Sequence, residues 1–282
     1  MQNVRIYAFA DEVSSSIDNQ IAAMQRNKLN GLEIRNVDGT NVSEISLEKA
    51  TEVRKKLEHN GLSVWSIGSP IGKTDIYGDF KNDIESFKHT LEIANTLNAE
   101  NIRIFSFYIP QDKAASEFKN EVIDRLGKFA EIAKGTGIVL CHENEKGIYG
   151  DNAERCLDIF KALPEIKGIF DPANFVQCGV DTLKAWDILG EYIKYMHIKD
   201  AMPDGSVVPA GFGAGNVKEI VNKYMTNGGS AFTIEPHLAV FDGLAGLERE
   251  GETSNVGKFV YKSNDEAFDV ACTEFKSIVE GK

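Results

Sequence analysis

The sequence is short of what would place it on nucleic acid, across a membrane or in a disulfide framework. Basic residues are outnumbered, 31 Lys and Arg against 43 Asp and Glu, which gives a formal net charge of −12. Binding nucleic-acid phosphates needs clustered Lys and Arg, so nucleic acid is not the expected partner; a small anion needs only a local patch and stays open. No apolar run is long enough to span a bilayer, and Met1-Gln2-Asn3-Val4-Arg5 lacks the apolar stretch of a signal peptide. The four cysteines, Cys141, Cys156, Cys178 and Cys272, include no pair at zinc-clip spacing. The expectation is a reduced, cytoplasmic protein with free thiols, Cys141 being a small hydrophobe of the core. Proline is also scarce, seven in 282 residues, and no Pro- or Ser-rich linker divides the chain.

What is present is a repeat. At 42% hydrophobic and 26% charged, the composition is that of an ordinary globular protein with ample core. Short apolar or β-branched runs recur at 4–9, 31–35, 62–67, 102–107, 138–143, 167–171, 193–198 and 231–235. Between them lie stripes of helical period: Ile17, Ile21, Met24 and Leu29; Val53 and Leu57; Ile84, Phe87, Leu91, Ala94 and Leu97; Val122, Leu126, Phe129 and Ala133. Asn30-Gly31, Asn60-Gly61 and Thr136-Gly137 stand where left-handed glycines would end helices, and Ser16 and Asp265 where N-caps would sit. Eight strands alternating with eight helices in a chain of this length predict one (β/α)8 barrel, a TIM barrel, spanning residues 1–282 as a single domain. A doubly wound sheet would carry a Gly-rich fingerprint after its first strand; Ala10-Asp11-Glu12 stands there instead.

The last four strands each end on a metal-ligand type: Glu143 after Ile138-Val139-Leu140-Cys141-His142, Asp171 after Gly168-Ile169-Phe170, His197 after Ile193-Lys194-Tyr195-Met196, and Glu235 after Ala231-Phe232-Thr233-Ile234. In a parallel barrel all C-terminal strand ends open on one face. Three carboxylates and one imidazole meeting there suit a single divalent cation, Mn²⁺, Mg²⁺, Co²⁺ or Zn²⁺. The competing reading is a buried salt-bridge network closing the barrel mouth. Long strand-to-helix segments at 69–79, 200–215 and 236–263 supply the loops from which such sites are built. Within the last, 242–258 is polar and Gly-rich and reads as a mobile lid or an exposed insertion.

The segments His142-Glu143-Asn144, Phe170-Asp171-Pro172-Ala173-Asn174, His197-Ile198-Lys199-Asp200 and Ile234-Glu235 resemble the xylose isomerase-like barrels of sugar isomerases and epimerases, over nearly the whole chain. The resemblance implies that Glu143, Asp171, His197 and Glu235 hold a catalytic cation, and that Glu143 and Glu235 form an acid/base pair on opposite sides of a sugar. Two departures stand out. Many members carry a His where this chain has Asn174, and ketose 3-epimerases usually place an Arg where Ala201-Met202-Pro203-Asp204 follows here. Asn174 hydrogen-bonds but does not titrate. The chemistry such a set serves is removal of a proton α to a carbonyl, with a cation holding the enediolate charge.

Substrate-facing candidates are Asn174, Lys199, Lys73, His237 and Trp65. Lys199 lies two residues beyond His197; its alternative is a salt bridge to Asp200 or Asp171. Lys73 sits in Ser69-Pro70-Ile71-Gly72-Lys73 and would bind an anionic group, unless it is simply exposed. His237 lies in phase with Glu235. Trp65, Phe9 and Phe105 offer an apolar wall over the sugar, or ordinary core. His142 should point away from the pocket; Glu145 and Lys146 would reach a hydroxyl or stay solvated. Gly211-Phe212-Gly213-Ala214-Gly215-Asn216, before a helix, would cradle a phosphate on its amides or serve loop closure. Glu33 and Arg35 alternate in one phase and read as a candidate buried pair.

The leading expectation is a metal-dependent isomerase or epimerase of a small carbohydrate. A dehydratase of an inositol-derived ketone on the same scaffold, and a non-catalytic sugar binder, are the competitors. A multi-zinc abasic-site nuclease is argued against by only five His, of which His59 and His89 fall on predicted helices. No membrane partner is expected, and self-association into a homo-oligomer stays open.

Overall fold

The structure, a computed structural model, describes residues 4–247, 255, 256 and 258–281. Eight parallel strands close in chain order: β1 (Arg5–Ala8), β2 (Gly31–Ile34), β3 (Ser63–Ile67), β4 (Asn101–Ile104), β5 (Val139–Glu143), β6 (Lys167–Phe170), β7 (Ile193–Ile198) and β8 (Ala231–Ile234). β1 pairs with β8 from Arg5↔Ala231 to Ala8↔Ile234, which seals the barrel and leaves it no edge. The register slips once between β2 and β3 and once between β6 and β7. Two small antiparallel hairpins, 36–41 and 200–208, project from the C-terminal ends of β2 and β7.

The helices are α1 (Ile17–Arg26), α2 (Leu47–His59), α3 (Phe80–Thr96), α4 (Lys119–Ala133), α5 (Ala153–Ala162), α6 (Pro172–Gln177), α7 (Thr182–Leu189), α8 (Val217–Thr226) and α9 (Asn264–Val279). Among the described residues that is one more than the repeat predicts. The extra one, α6, starts directly after β6 because Asp171 caps it and Pro172 pre-sets its first turn. The expected stripes face the barrel; Ile17, Ile21, Met24, Val53, Leu57, Phe87, Leu126 and Phe129 are all buried. Three local expectations change. α9 is capped by Ser263, whose hydroxyl accepts from Glu266 N, while Asp265 lies inside the first turn. Ser16 occupies the α1 cap position, but its side chain makes no capping bond; Asp38 Oδ1 takes the Ile17 N–H at 2.9 Å. Gly61 and Gly137 are left-handed as expected (φ 69° and 83°), whereas after α1 that conformation falls on Lys28 (φ 51°). Gly31 is needed for another reason: a Cβ there would lie 2.0 Å from Ser63 O on the neighbouring strand.

β4 stops at Ile104, three residues short of the expected run, because the following backbone bonds sideways. Phe105 N donates to Ile71 O and Phe107 N to Gly72 O, both at 2.8 Å, zipping the loop after β4 to the loop after β3. Much of the region 242–258 lies outside the described residues.

Inside the barrel, Tyr7, Trp65, Cys141, Ile169, Tyr195 and Ala231 fill one apolar layer. Tyr7 stacks on Trp65 at 5.1 Å and Trp65 meets Tyr195 edge-on at 5.7 Å. The charged cluster lies directly above this layer, at the C-terminal rim.

A charged cluster at the barrel mouth

The four strand-end residues converge. Glu143 closes β5, Asp171 follows β6, His197 is the penultimate residue of β7 and Glu235 follows β8. All four are buried, and each offers a ligand atom such that these atoms lie within 4.8 Å of one another. His197 Nδ1 is 2.8 Å from Glu143 Oε1 and 3.5 Å from Glu235 Oε2. On its far side, Nε2 is 3.0 Å from Glu33 Oε2.

Buried charge needs partners, and three cations supply them. Arg103 Nη1 donates to Glu143 Oε2 at 3.1 Å, while its other nitrogens hold Gly68 O and Ser69 O. The Lys199 ammonium lies 3.0 Å from both Asp171 Oδ2 and Glu235 Oε2, bridging two acids of the cluster. Arg35 Nη1 reaches Glu235 Oε1 at 3.3 Å and clasps Asp11 with Nε and Nη2 at 2.8 and 3.2 Å. Burial disfavours charge on Glu33, Asp171, His197 and Glu235, yet the neighbours override it at all of these but Asp171. Glu235 is held well below the usual carboxylate range by Lys199, His237, His197 and Arg35. Glu33 is held down by His197 and Arg103. His197 is driven up to about 10 by Glu143 and Glu33, so its imidazole is cationic. At Asp171 burial wins over Lys199, with Glu235 and Glu143 adding to it, and the carboxyl rises to about 7.

The donor set fits a divalent cation. Three carboxylates and an imidazole nitrogen face one another at ligand separations. Asp171 Oδ2 is fully buried and meets only the Lys199 ammonium, at 3.0 Å and outside hydrogen-bond alignment. The far nitrogen of His197 is held by a carboxylate, the arrangement in which metal-binding histidines are usually found. Lys199 and the imidazolium supply between these acids the positive charge that a cation would otherwise bring.

Other candidates divide. Asn174 joins the cluster: its amide reaches Glu143 Oε1 at 3.4 Å and Asn144 O at 2.9 Å, and its backbone N–H bonds Asp171 Oδ1. Lys199 pairs with Asp171 and Glu235, not with Asp200. His237 lies beside it, Nδ1 2.9 Å from Glu12 Oε1 and 3.7 Å from Glu235 Oε1, with a left-handed backbone (φ 45°). Lys73 is at the rim, committed to Glu145 at 2.8 Å and to Leu247 O at 3.0 Å, above the Phe105 ring. Phe9 packs edge-on against His197 at 5.2 Å. Trp65 does not join them. It fills the apolar layer below and faces the opposite mouth, where Arg5 and Lys194 lie over its ring at 4.7 and 5.9 Å. It is the middle residue of β3, two short of the strand end at Ile67, which keeps it below the rim. His142 points outward to Ser106 Oγ at 2.9 Å. Glu33 and Arg35 are both buried but not paired with each other. The glycine loop cradles an anion of its own: the amides of Gly211, Gly213 and Gly215, with that of Ala201, all donate to the Asp200 carboxylate at 2.9–3.0 Å. A Cβ at Gly213 would sit 2.3 Å from that carboxylate.

Sequence reasoning passed over Arg103 altogether, although a lone Arg inside an apolar run was a visible signal. It also passed over Asp11 and Glu12, two acids just past the end of β1 that gather Arg35 and His237.

The sequence profile of the family described as xylose isomerase-like TIM barrel matches residues 21–237. No curated protein sequence matches the chain. Among solved structures, an L-ribulose 3-epimerase has TM-score 0.75 at 17% identity, covering 100% of this chain and 95% of its own. The IolI protein, whose structure holds a zinc atom, has TM-score 0.74 at 17% identity, covering 99% and 98%. The probable 3-DHS dehydratase AsbF of petrobactin synthesis in Bacillus anthracis has TM-score 0.72 at 16% identity, covering 98% of each chain. At such identities the likeness is one of fold.

Proposed function

The chain belongs to the xylose isomerase-like TIM barrel family, and from that premise we propose that it is a metal-dependent isomerase or epimerase of a small carbohydrate. The observation that carries this reading is the pair Glu143 and Glu235, flanking His197 at the mouth with an oxygen of each turned toward its Nδ1. A binding protein has no use for two carboxylates so placed; α-proton transfer needs a base and a conjugate acid within reach of one carbon.

A divalent cation held by Glu143, Asp171, His197 and Glu235 would polarise the substrate carbonyl and offset the charge of an enediolate. The remaining work falls to the chain. Glu235, kept anionic by Lys199, His237, His197 and Arg35, is the carboxylate ready to accept a proton, and Glu143 faces it to return one from the other side. Arg103, itself fixed by two backbone carbonyls, sets the plane of the Glu143 carboxylate. To Asn174, beside Glu143, and Lys199, beside Asp171 and Glu235, we assign the binding of substrate hydroxyls. Sugar epimerases occur among the fold relatives, which supports a carbohydrate substrate.

The test is solvent exchange. Incubated in D₂O with Mn²⁺ or Co²⁺ and a panel of ketoses and aldoses, the protein should wash deuterium into the carbon α to the carbonyl, followed by NMR. A chelator should stop the exchange and added cation restore it. Silence across the panel with metal present would overturn the reading, and loss of water from the product would assign the chain to dehydration instead.

A further inference from the structure

We propose that Glu33 is a positioning residue for His197, holding the imidazole so that Nδ1 is presented to the acids of the mouth and divalent cations are thereby bound. This rests on the reading of Glu143, Asp171, His197 and Glu235 as a cation site.

Glu33 is the carboxylate that the barrel has least reason to contain. It is fully buried on β2, just above the apolar layer. A carboxylate in such surroundings is strongly destabilising unless it is paired and hydrogen-bonded. Arg35, two residues on, is turned to Asp11, Glu12 and Glu235 instead. The nearest hydrogen-bond partners of Glu33 come from across the barrel, on β7, and the Arg103 guanidinium of β4 adds its charge. Tyr195 Oη donates to Oε1 at 2.9 Å, and His197 Nε2 lies 3.0 Å from Oε2. Tyr195 is in turn 3.0 Å from Ser66 Oγ. A hydrogen-bonded line, Ser66–Tyr195–Glu33–His197, therefore runs from the apolar interior up to the mouth.

An imidazole has two nitrogens, and its environment decides which one keeps the proton when the other binds a metal. An acid on the far nitrogen draws the N–H to that side, fixes the ring orientation and makes the near nitrogen a better ligand. Here the far nitrogen is Nε2. The near one, Nδ1, is the atom 2.8 Å from Glu143 and 3.5 Å from Glu235. The ring plane is further fixed by Phe9, edge-on at 5.2 Å, and by Tyr195, tilted at 5.7 Å. A carboxylate present only to balance buried charge would not need the outer tyrosine bond that aims its second oxygen at Nε2.

The experiment compares Mn²⁺ affinity of the full chain and of Glu33→Gln by EPR of free Mn²⁺, with far-UV circular dichroism as the fold check. The expected loss is about 10–100-fold, the range for removing an outer partner of a metal-bound histidine. In ¹⁵N-histidine-labelled, Zn²⁺-loaded protein, His197 should be an Nε2–H tautomer and should lose that single state in the variant. Tyr195→Phe should move both readouts in the same direction by less, and it stands in if Glu33→Gln does not fold. Unchanged Mn²⁺ affinity and an unchanged tautomer in the folded variant would overturn the proposal alone. A parent protein that binds neither Mn²⁺ nor Zn²⁺ would overturn it together with the cation reading on which it rests.

Discussion

On β5, β6 and β7 two kinds of interior lie two residues apart. Cys141, Ile169 and Tyr195 point into the barrel and pack as a core; Glu143, Asp171 and His197, the next residues in phase, point into it as charges. The lower ring gains from leaving water, roughly 25 cal/mol per Å² of apolar surface, and each contact there is favourable by itself. The upper ring loses on desolvation and is held only as a set, because Arg103, Lys199, Arg35 and the His197 imidazolium each stand against a carboxylate. A core residue can therefore be truncated at a bounded loss, whereas removing one charge leaves another buried and unpaired. The same logic explains why the upper ring suits a cation: it already needs positive charge at its centre.

The sharpest way to break this contrast is chemical. Glu235→Gln and Glu143→Gln keep the size of the side chain and should lower the rate of α-proton exchange by about 10²–10⁴-fold, with the circular dichroism spectrum unchanged. If either variant, loaded with metal, kept full turnover, the assignment of that residue to proton transfer would be wrong. Next in size is Lys199→Met, which leaves Asp171 and Glu235 without their shared ammonium. The metal-free protein should lose about 3–5 kcal/mol in denaturant unfolding. Excess Mn²⁺ should return part of it, and at one fixed Mn²⁺ concentration should stabilise the variant more than the parent, since the added ion takes over the charge balance. Recovery no greater than in the parent would mean that the ammonium and the ion do not share a place.

Ile169→Ala probes the lower ring. A cavity there should be destabilising by about 2–5 kcal/mol and leave Mn²⁺ affinity where it was, because the charged ring above contributes its own bonds. A fall in metal affinity comparable to that of Glu33→Gln would mean that the two rings are mechanically one.

How much of this could be read from the sequence follows the same division. The eight-fold repeat and the strand ends at Glu143, Asp171, His197 and Glu235 were legible because both are local: a period, and a charged residue where an apolar run stops. The pairing within the mouth was not. Glu33 meets His197 across 164 residues, Arg35 meets Glu235 across 200, and no local pattern says which acid a buried guanidinium will choose. Glu33 and Arg35 looked like partners because they share a phase, yet the barrel turns them to different neighbours. Trp65 is ordinary core, the alternative to a wall over the sugar, because it is the middle residue of β3 and not its end. α6, by contrast, was written in Asp171-Pro172-Ala173-Asn174 as a cap followed by a first-turn proline. Those residues carry the family resemblance and a helix start at once, and only the former was read.

The effect that is smallest per step, a slope in pH, separates the two histidines by sign. His142 lies outside the charged ring, fully buried with one hydroxyl partner, and burial alone pushes it down to about 3. Its folded value is below the unfolded one near 6.5, so the unfolded chain binds the extra proton between these limits and stability falls as pH drops from 6.5 toward 3. His197, raised to about 10 despite its burial, has the opposite sign: its contribution is complete below 6.5 and is lost as pH rises toward 10. Each slope is at most about 1.4 kcal/mol per pH unit, the value for one proton. In metal-free protein, His142→Gln should flatten the acid limb relative to the parent and leave pH 7–9 unchanged. Saturating Mn²⁺ should flatten the limb between pH 7 and 8, since a nitrogen that holds an ion cannot also hold a proton; above about pH 8 the four cysteines, raised in the folded chain by burial, add a limb of the same sign that the ion leaves in place. Denaturant titrations at each pH, with and without metal, read both slopes. A limb between pH 7 and 8 that persists unchanged in saturating Mn²⁺ would mean that His197 keeps its proton and that the ion, if bound, is held elsewhere.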